Sequence, residues 1–334
     1  MRRVPAARCR CLRHENLRLS QSIGMTRHYF CTLFDRNYLF KGIAMLESLV
    51  VHCPTSKVFV LCMDDITYEL LGKLDYRHVE RIRLAEVEDE KLLAVKPTRV
   101  VAEYCWTLAP CLPWYILQTR QDVQQLTYLD ADLLFFSPVQ PLFDEIGTAS
   151  IAIVEHRFIP RLAMYAKNGR FNVEWVSFRR DGQGLACLAR WRQQCIEWCF
   201  NRSEEGRMGD QKYLDAWPES YSSLCILQHP GAGVAPWNYA NYEIRRGQTG
   251  ITVDGVPLVF YHFHQFQMFS CGFFDYMASI YTVEKPPPAA VYEVYESVVK
   301  AAARKVRGHQ PSFRYGVQPV MPMLVRRFIR NHFP

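Results

Sequence analysis

Gln125-Leu126-Thr127-Tyr128-Leu129-Asp130-Ala131-Asp132-Leu133-Leu134-Phe135-Phe136 is an apolar, β-rich run broken by two carboxylates one residue apart. Side chains at i and i+2 of a strand share a face, so Asp130 and Asp132 are placed to converge on one partner. Two unpaired carboxylates beside a core are costly, and a divalent cation is the natural compensation. Ser137-Pro138 then stops the element. The stretch predicts a strand ending in an Asp-X-Asp mouth; the plainer alternative is a strand leaving the core with two solvated aspartates.

Upstream of this run the chain alternates between two periods. His28 to Phe34 reads as a buried parallel strand, with Asp35-Arg36-Asn37-Tyr38 as the loop at its carboxyl end, and Gly42 to Leu49 reads as an amphipathic helix. Lys57 to Met63 is a second strand ending in Asp64-Asp65, and Thr67 to Leu74 a second helix. Strand, helix, strand, helix with short links predicts an α/β fold, a mainly parallel sheet flanked by helices. Such sheets bind ligands beyond the carboxyl ends of their strands, where Asp35, Asp64 and the Asp130/Asp132 pair fall. Asp64-Asp65 also suits a cap for the helix that follows. Val101 to Gln118 predicts a long buried helix broken or kinked at Pro110 and Pro113.

Downstream, Ser150 to Glu155 and Arg170 to Phe178 read as further buried strands, and Gly184 to Phe200 as a helix. Gly209-Asp210-Gln211-Lys212-Tyr213-Leu214 opens a short helix that Pro218 ends, and Asp210 suits an N-cap there. Pro257 to Phe266 reads as an apolar strand that puts His262 and His264 on one face. Trp175, Trp237 and Tyr239 are aromatic enough to serve as sugar-stacking platforms or as core.

The 334 residues, 49% hydrophobic and 13% aromatic, suffice for one large core or two modest ones. No run approaches the length of a spanning helix, and the Arg-rich start has no apolar segment that would act as a signal peptide, so a cytoplasmic location is expected. Twelve scattered cysteines without a Cys-X-X-Cys pair favour reduced thiols over a disulfide framework. Charge is uneven: residues 1–24 carry +5 and residues 300–334 carry +8, which leaves −6 for residues 25–299. A nucleic-acid binder with a uniformly basic surface is thereby disfavoured. Met323 to Arg330 alternates apolar and basic residues, which suits peripheral docking on acidic lipid headgroups as well as an ordinary solvated helix. The domain reading is a disordered basic tail at 1–24, with Met25 as an alternative start, one catalytic domain at 25–282, and a linker with a basic helical region at 283–334.

Two aspartates and a histidine supply hard oxygen ligands and one borderline nitrogen, a set for octahedral Mg²⁺ or Mn²⁺ with open positions. An ion so held would neutralise a diphosphate leaving group in transfer from a nucleotide-activated donor. In order along the chain, Phe34-Asp35-Arg36-Asn37-Tyr38, Tyr128-Leu129-Asp130-Ala131-Asp132, Phe171-Asn172, Gly209-Asp210-Gln211-Lys212-Tyr213-Leu214, Pro236-Trp237-Asn238 and His262-Phe263 resemble the nucleotide-sugar glycosyltransferases of family 8, which includes glycogenin and lipopolysaccharide galactosyltransferases. The resemblance spans residues 28 to about 282 and implies the GT-A fold.

Carried onto matching positions, the resemblance implies that Asp35 and Tyr38 lie by the base and ribose of a UDP-sugar. Asp130 and Asp132 bind Mn²⁺ or Mg²⁺, with Asp130 also near the ribose. Asp210 contacts the sugar, and Gln211 lies on the sugar face opposite the leaving group, as a retaining enzyme requires. His262 matches the third metal ligand, with His264 as second choice. The acceptor implied is a hydroxyl of a cell-surface glycan or lipid-linked precursor. Three departures stand out: Glu103-Tyr104-Cys105-Trp106-Thr107 replaces a segment in which the family carries an Arg, the family's Asn-X-Gly appears as Asn172-Val173-Glu174-Trp175, and no Lys-Pro-Trp follows the His262 strand. An Asp-X-Asp phosphatase and a binding-only homologue are the alternatives.

Overall fold

The computed structural model describes residues 27–276, 281, 283 and 285–320. The expected basic tail and the Met323 to Arg330 stretch lie outside the described residues. Strands β1 (Tyr29–Phe34), β2 (Lys57–Cys62), β3 (Val79–Arg83) and β4 (Gln125–Leu129) are parallel, with β1 between β2 and β4. Strand β5 (Leu133–Phe135) leaves this sheet and pairs antiparallel with the strand Phe260–His262. The sheet is completed by β6 (Ile151–Glu155), β7 (Phe171–Arg179) and β8 (Leu224–Leu227), in the order β3-β2-β1-β4-β7-β6-β8. β7 is antiparallel to both β4 and β6, so the sheet is mixed, with its parallel half at the N-terminal end of the chain.

Period-two alternation decides which residues face which layer. Phe30 and Phe34 of β1, with Val58 and Val60 of β2, join a core beneath the helices Leu39–His52 and Ala289–His309. Cys31, Leu33, Phe59 and Leu61 join the other core, beneath the helices Val101–Thr119 and Gly182–Glu197. Both faces are thereby covered, which is why these strands read as continuous apolar runs.

Three elements differ from expectation. The run from Gln125 to Phe136 is two strands rather than one: β4 ends at Leu129, Asp130-Ala131-Asp132 forms a turn, and β5 starts at Leu133. Paired on both edges, β4 lies in the middle of the sheet, and carrying two carboxylates further into that environment would bury unpaired charge. Similarly, the apolar run from Pro257 to Phe266 is a strand only at Phe260–His262. The helix Val101–Thr119 runs unbroken through Pro110 and Pro113. Burial of both rings alongside Leu108, Leu112 and Ile116 offsets the hydrogen bonds the two prolines cannot donate.

The helix Ala289–His309 is part of the main packing, with Val291, Tyr292, Tyr295, Val299 and Val306 in the core. After it the chain returns toward the end of β1, where Phe313 packs on Phe40 at 5.4 Å. No helix among the described residues is long and apolar enough to cross a membrane, and the described cysteines are all free.

Candidate active site

The carboxyl ends of β1, β2 and β4 each deliver an aspartate, and the three do different work. Asp35 shapes its own loop: one carboxylate oxygen accepts from the backbone N–H of Asn37 at 2.9 Å and of Tyr38 at 3.1 Å, the other from the Asn37 side chain at 2.7 Å. Tyr38 is thereby set at the N-terminus of the helix Leu39–His52, the residue as a whole 43% exposed. Asp64 caps the helix Asp65–Leu74 by accepting from Thr67 N–H at 2.8 Å, and its second oxygen accepts from the Arg36 backbone N–H at 2.9 Å and Nε at 3.2 Å. The capping reading therefore holds for Asp64.

Asp130 and Asp132 meet His262 across the turn. His262 Nε2 lies 3.0 Å from Asp132 Oδ1 and 3.8 Å from Asp130 Oδ2, and one ligand atom from each of the three fits within 4.8 Å of the others. The convergence depends on β5, whose Leu133 pairs with His262, and on Phe263 N–H, which donates to the Asp132 carbonyl at 2.9 Å. His262 Nδ1 lies 2.6 Å from Glu174 Oε2, fully buried in β7. Nδ1–H donates to that carboxylate, and Nε2 is left facing the aspartates. The Asp132 carboxyl is held well below the usual range: burial works against this, but His262 and Lys41 outweigh it. His262 is shifted up by Asp132 and Glu174 against the cost of burial, while Asp130 is shifted up, by burial first.

Of the other predicted residues, Asp210 lies near Asp130 and His264 near His262. Asp210 is buried and makes no side-chain cap bond to the helix it precedes; its backbone carbonyl accepts from Trp191 Nε1 at 2.9 Å. Burial, then the charge of Asp130, pushes its carboxyl up to about 8. Gln211 Nε2 donates to the Asn168 carbonyl at 3.0 Å. His264 stands with its ring 5.5 Å from that of His262, and it is not a member of the three-residue cluster. Burial, then His262, lowers its pKa to about 4. The aromatic platforms belong to the core: Trp175 stacks on Phe260 at 5.6 Å, and Trp237 meets both His262 and His264 edge-on. Tyr239 is buried, with its hydroxyl donating to the Lys285 carbonyl.

Three residues at the cluster escaped sequence reasoning. Glu174 is an acid where the family's Asn-X-Gly segment has glycine, the signal that could have marked it. Lys41 Nζ lies 3.7 Å from Asp132 Oδ2; its signal was a lysine within the apolar first turns of a helix. The Tyr295 hydroxyl is buried without a hydrogen-bond partner among the described residues, and in sequence it resembled any core aromatic. Beside the cluster lies a cavity of about 280 Å³ lined in part by Asn37, Tyr38, Lys41, Gln265, Arg314 and Tyr315.

Two carboxylates and the imidazole Nε2, once its proton is displaced by the metal, suit a hard divalent cation with open coordination positions. The Glu174 carboxylate behind His262 is the partner that commonly orients a ligating imidazole, so the residues present fit Mg²⁺ or Mn²⁺. With its mixed sheet, the turn at the end of β4 and this cluster at the strand ends, the chain has the GT-A glycosyltransferase fold. Among solved structures it is similar to the galactosyltransferase LgtC in complex with donor and acceptor sugar analogs, with a TM-score of 0.51 at 15% identity over 82% of this chain and 95% of that one. By sequence the chain belongs to the family of YfnD of Bacillus subtilis (strain 168), an uncharacterized protein 36% identical over 247 residues, 73% of this chain and 79% of the relative. It is also 29% identical to the uncharacterized YfnF of that organism over 294 residues, 85% of this chain and 95% of the relative. No family model matches.

Proposed function

We propose that this protein is a metal-dependent glycosyltransferase that moves a hexose from a UDP-sugar to a hydroxyl of a cell-surface glycan or its lipid-linked precursor, with retention of anomeric configuration. The observation that carries the reading is the convergence of Asp130, Asp132 and His262, from a turn and a distant strand, at the carboxyl end of the sheet. In this reading those three residues hold Mn²⁺ or Mg²⁺, with His264 as the alternative nitrogen ligand. When bound, the ion supplies Lewis-acid neutralisation of the charge that builds on the departing diphosphate.

The chain's own residues do the rest. Tyr38 offers its ring to the base, and Asp35, whose carboxylate already orders that loop, stands by the ribose. Glu174 keeps Nδ1 of His262 protonated, so that Nε2 is the free donor atom. Asp210, buried beside Asp130, takes the sugar hydroxyls, and Gln211 lies on the face opposite the leaving group. Its amide is steadied by the Asn168 carbonyl. A phosphatase reading is weaker, because that chemistry sets its Asp-X-Asp at the end of the domain's first strand and here the motif follows the fourth. The chain is assigned to the cytoplasm, with the alternating basic and apolar residues near 323–330 as a contact for anionic lipid.

The test is UDP release from UDP-sugars with Mn²⁺ present. Asp132→Ala abolishes it, and undiminished turnover in that variant would overturn the reading. A thermal-shift screen against UDP-, GDP- and dTDP-sugars with Mn²⁺ identifies the donor; this reading expects the UDP series to give the largest upward shift.

A further inference from the structure

Lys41 is an ammonium buried where a cation is meant to bind. It lies on the first turn of the helix Leu39–His52, its side chain only 14% exposed, 3.7 Å from Asp132 Oδ2 and 4.3 Å from the centroid of the Tyr38 ring. Among the described residues, Asp132 is the carboxylate it pairs with. Asp132 is shared: its other oxygen faces His262 Nε2 at 3.0 Å. A cation entering the cluster therefore claims the charge that compensates Lys41, and it leaves a buried ammonium beside a second positive charge. Asp130 and Glu174 offset the charge of the cluster as a whole, but Lys41 is left without a carboxylate of its own, a local cost that an anion arriving with the metal removes. The adjoining cavity of about 280 Å³ suits such an anion, since the charged side chains lining it, Lys41 and Arg314, are both basic.

We propose that Lys41 couples the two ligands, so that the cluster takes a divalent cation well only together with a diphosphate in the adjoining cavity, whose oxygen accepts from the ammonium that Asp132 has released. The inference rests on the nucleotide-sugar reading for the identity of the diphosphate. It adds a residue that links the two ligands and suppresses occupancy by bare metal. The geometry also accounts for a lysine on a helix turn where Leu39 and Phe40 are wholly buried: a neutral residue there would leave Asp132 free to hold the ion alone.

The experiment measures Mn²⁺ binding to the full chain by electron paramagnetic resonance and calorimetry, corrected for Mn²⁺–anion association in solution. Wild type, Lys41→Met and Lys41→Arg are titrated without anion, with UDP, and with inorganic pyrophosphate. In wild type, UDP is expected to raise Mn²⁺ affinity by about tenfold or more, within the usual range of coupling between sites. Lys41→Met should bind bare Mn²⁺ several-fold tighter, by roughly the repulsion removed, and lose most of the coupling; Lys41→Arg should keep it. Lys41→Gln replaces the Met variant if the latter does not melt cooperatively. Equal coupling by UDP in wild type and the neutral variants overturns the role of Lys41 while leaving the nucleotide reading intact. Lys41-dependent coupling by pyrophosphate with none by UDP supports the role of Lys41 and removes the nucleotide reading instead.

Discussion

Glu174 is a fully buried carboxylate whose neighbours in β7, Val173 and Trp175, are also buried, and its position is intelligible only through His262. One oxygen takes the imidazole Nδ1–H at 2.6 Å; the other has no partner among the described residues. A carboxylate behind a ligating histidine fixes the tautomer and raises the basicity of the nitrogen that faces the metal, and its loss typically costs 10- to 100-fold in metal affinity. Glu174→Gln, which keeps the shape and removes the charge, should therefore weaken Mn²⁺ binding by roughly 10-fold or more. Calorimetry checks this, and an unchanged affinity would reduce Glu174 to a packing role. In sequence this residue is visible only as an acid in place of glycine in an Asn-X-Gly segment. Its partner lies 88 positions away in the chain, and no local pattern joins the two.

At the scale of elements, the loops at the strand ends are held by a few side chains whose loss is measurable. Asp64 joins β2 to the helix Asp65–Leu74 and grips Arg36 in the neighbouring loop. Asp64→Ala should cost about 1 kcal/mol for the cap alone, read as a fall in the urea midpoint, with more lost through the Arg36 loop. His156, just past β6, faces the Arg170 carbonyl through Nδ1 at 3.2 Å and the Asn172 amide through Nε2 at 2.9 Å. With a carbonyl on one side and an amide N–H on the other, the ring is neutral. Burial first, with the charge of His262 adding, lowers its pKa to about 3. The unfolded histidine titrates near 6.5, so between about 6.5 and about 3 the unfolded chain binds the extra proton. Stability contributed by this group is then fully present above the upper value and is lost as pH falls through the window. The pH dependence of the melting temperature should be shallower over that interval in His156→Gln than in wild type; parallel curves would assign the acid sensitivity elsewhere.

At the scale of the molecule, the helix Ala289–His309 brings the chain's later part against the sheet and the site. Tyr292 is fully buried, stacked on Tyr276 at 4.4 Å and edge-on to Phe263 at 5.3 Å. Tyr295 stacks on Phe263 at 3.6 Å, next to His262. Tyr292→Ala should destabilise by roughly 3–5 kcal/mol, the usual range for removing a buried aromatic. Denaturation should show one transition that is shifted as a whole; a separate early transition would mean that the helix unfolds independently of the sheet.

The alternation of buried strands and amphipathic helices, the carboxyl-end positions of Asp35, Asp64 and Asp130, and the pairing of Asp-X-Asp with a histidine were determined by the sequence itself. Apolar periodicity and residue chemistry are local properties, and they survive without knowledge of contacts. The tertiary structure decided what depends on distant segments meeting. The β4 run turns at Asp130 because the sheet closes on both its edges, and the prolines at 110 and 113 stay inside a helix because both rings are buried. His262 reaches Asp132 because β5 pairs with Phe260–His262, and Glu174 and Lys41 acquire meaning only beside the charges that fix them. A charge in a core is governed by its partner, and partners here come from opposite parts of the chain.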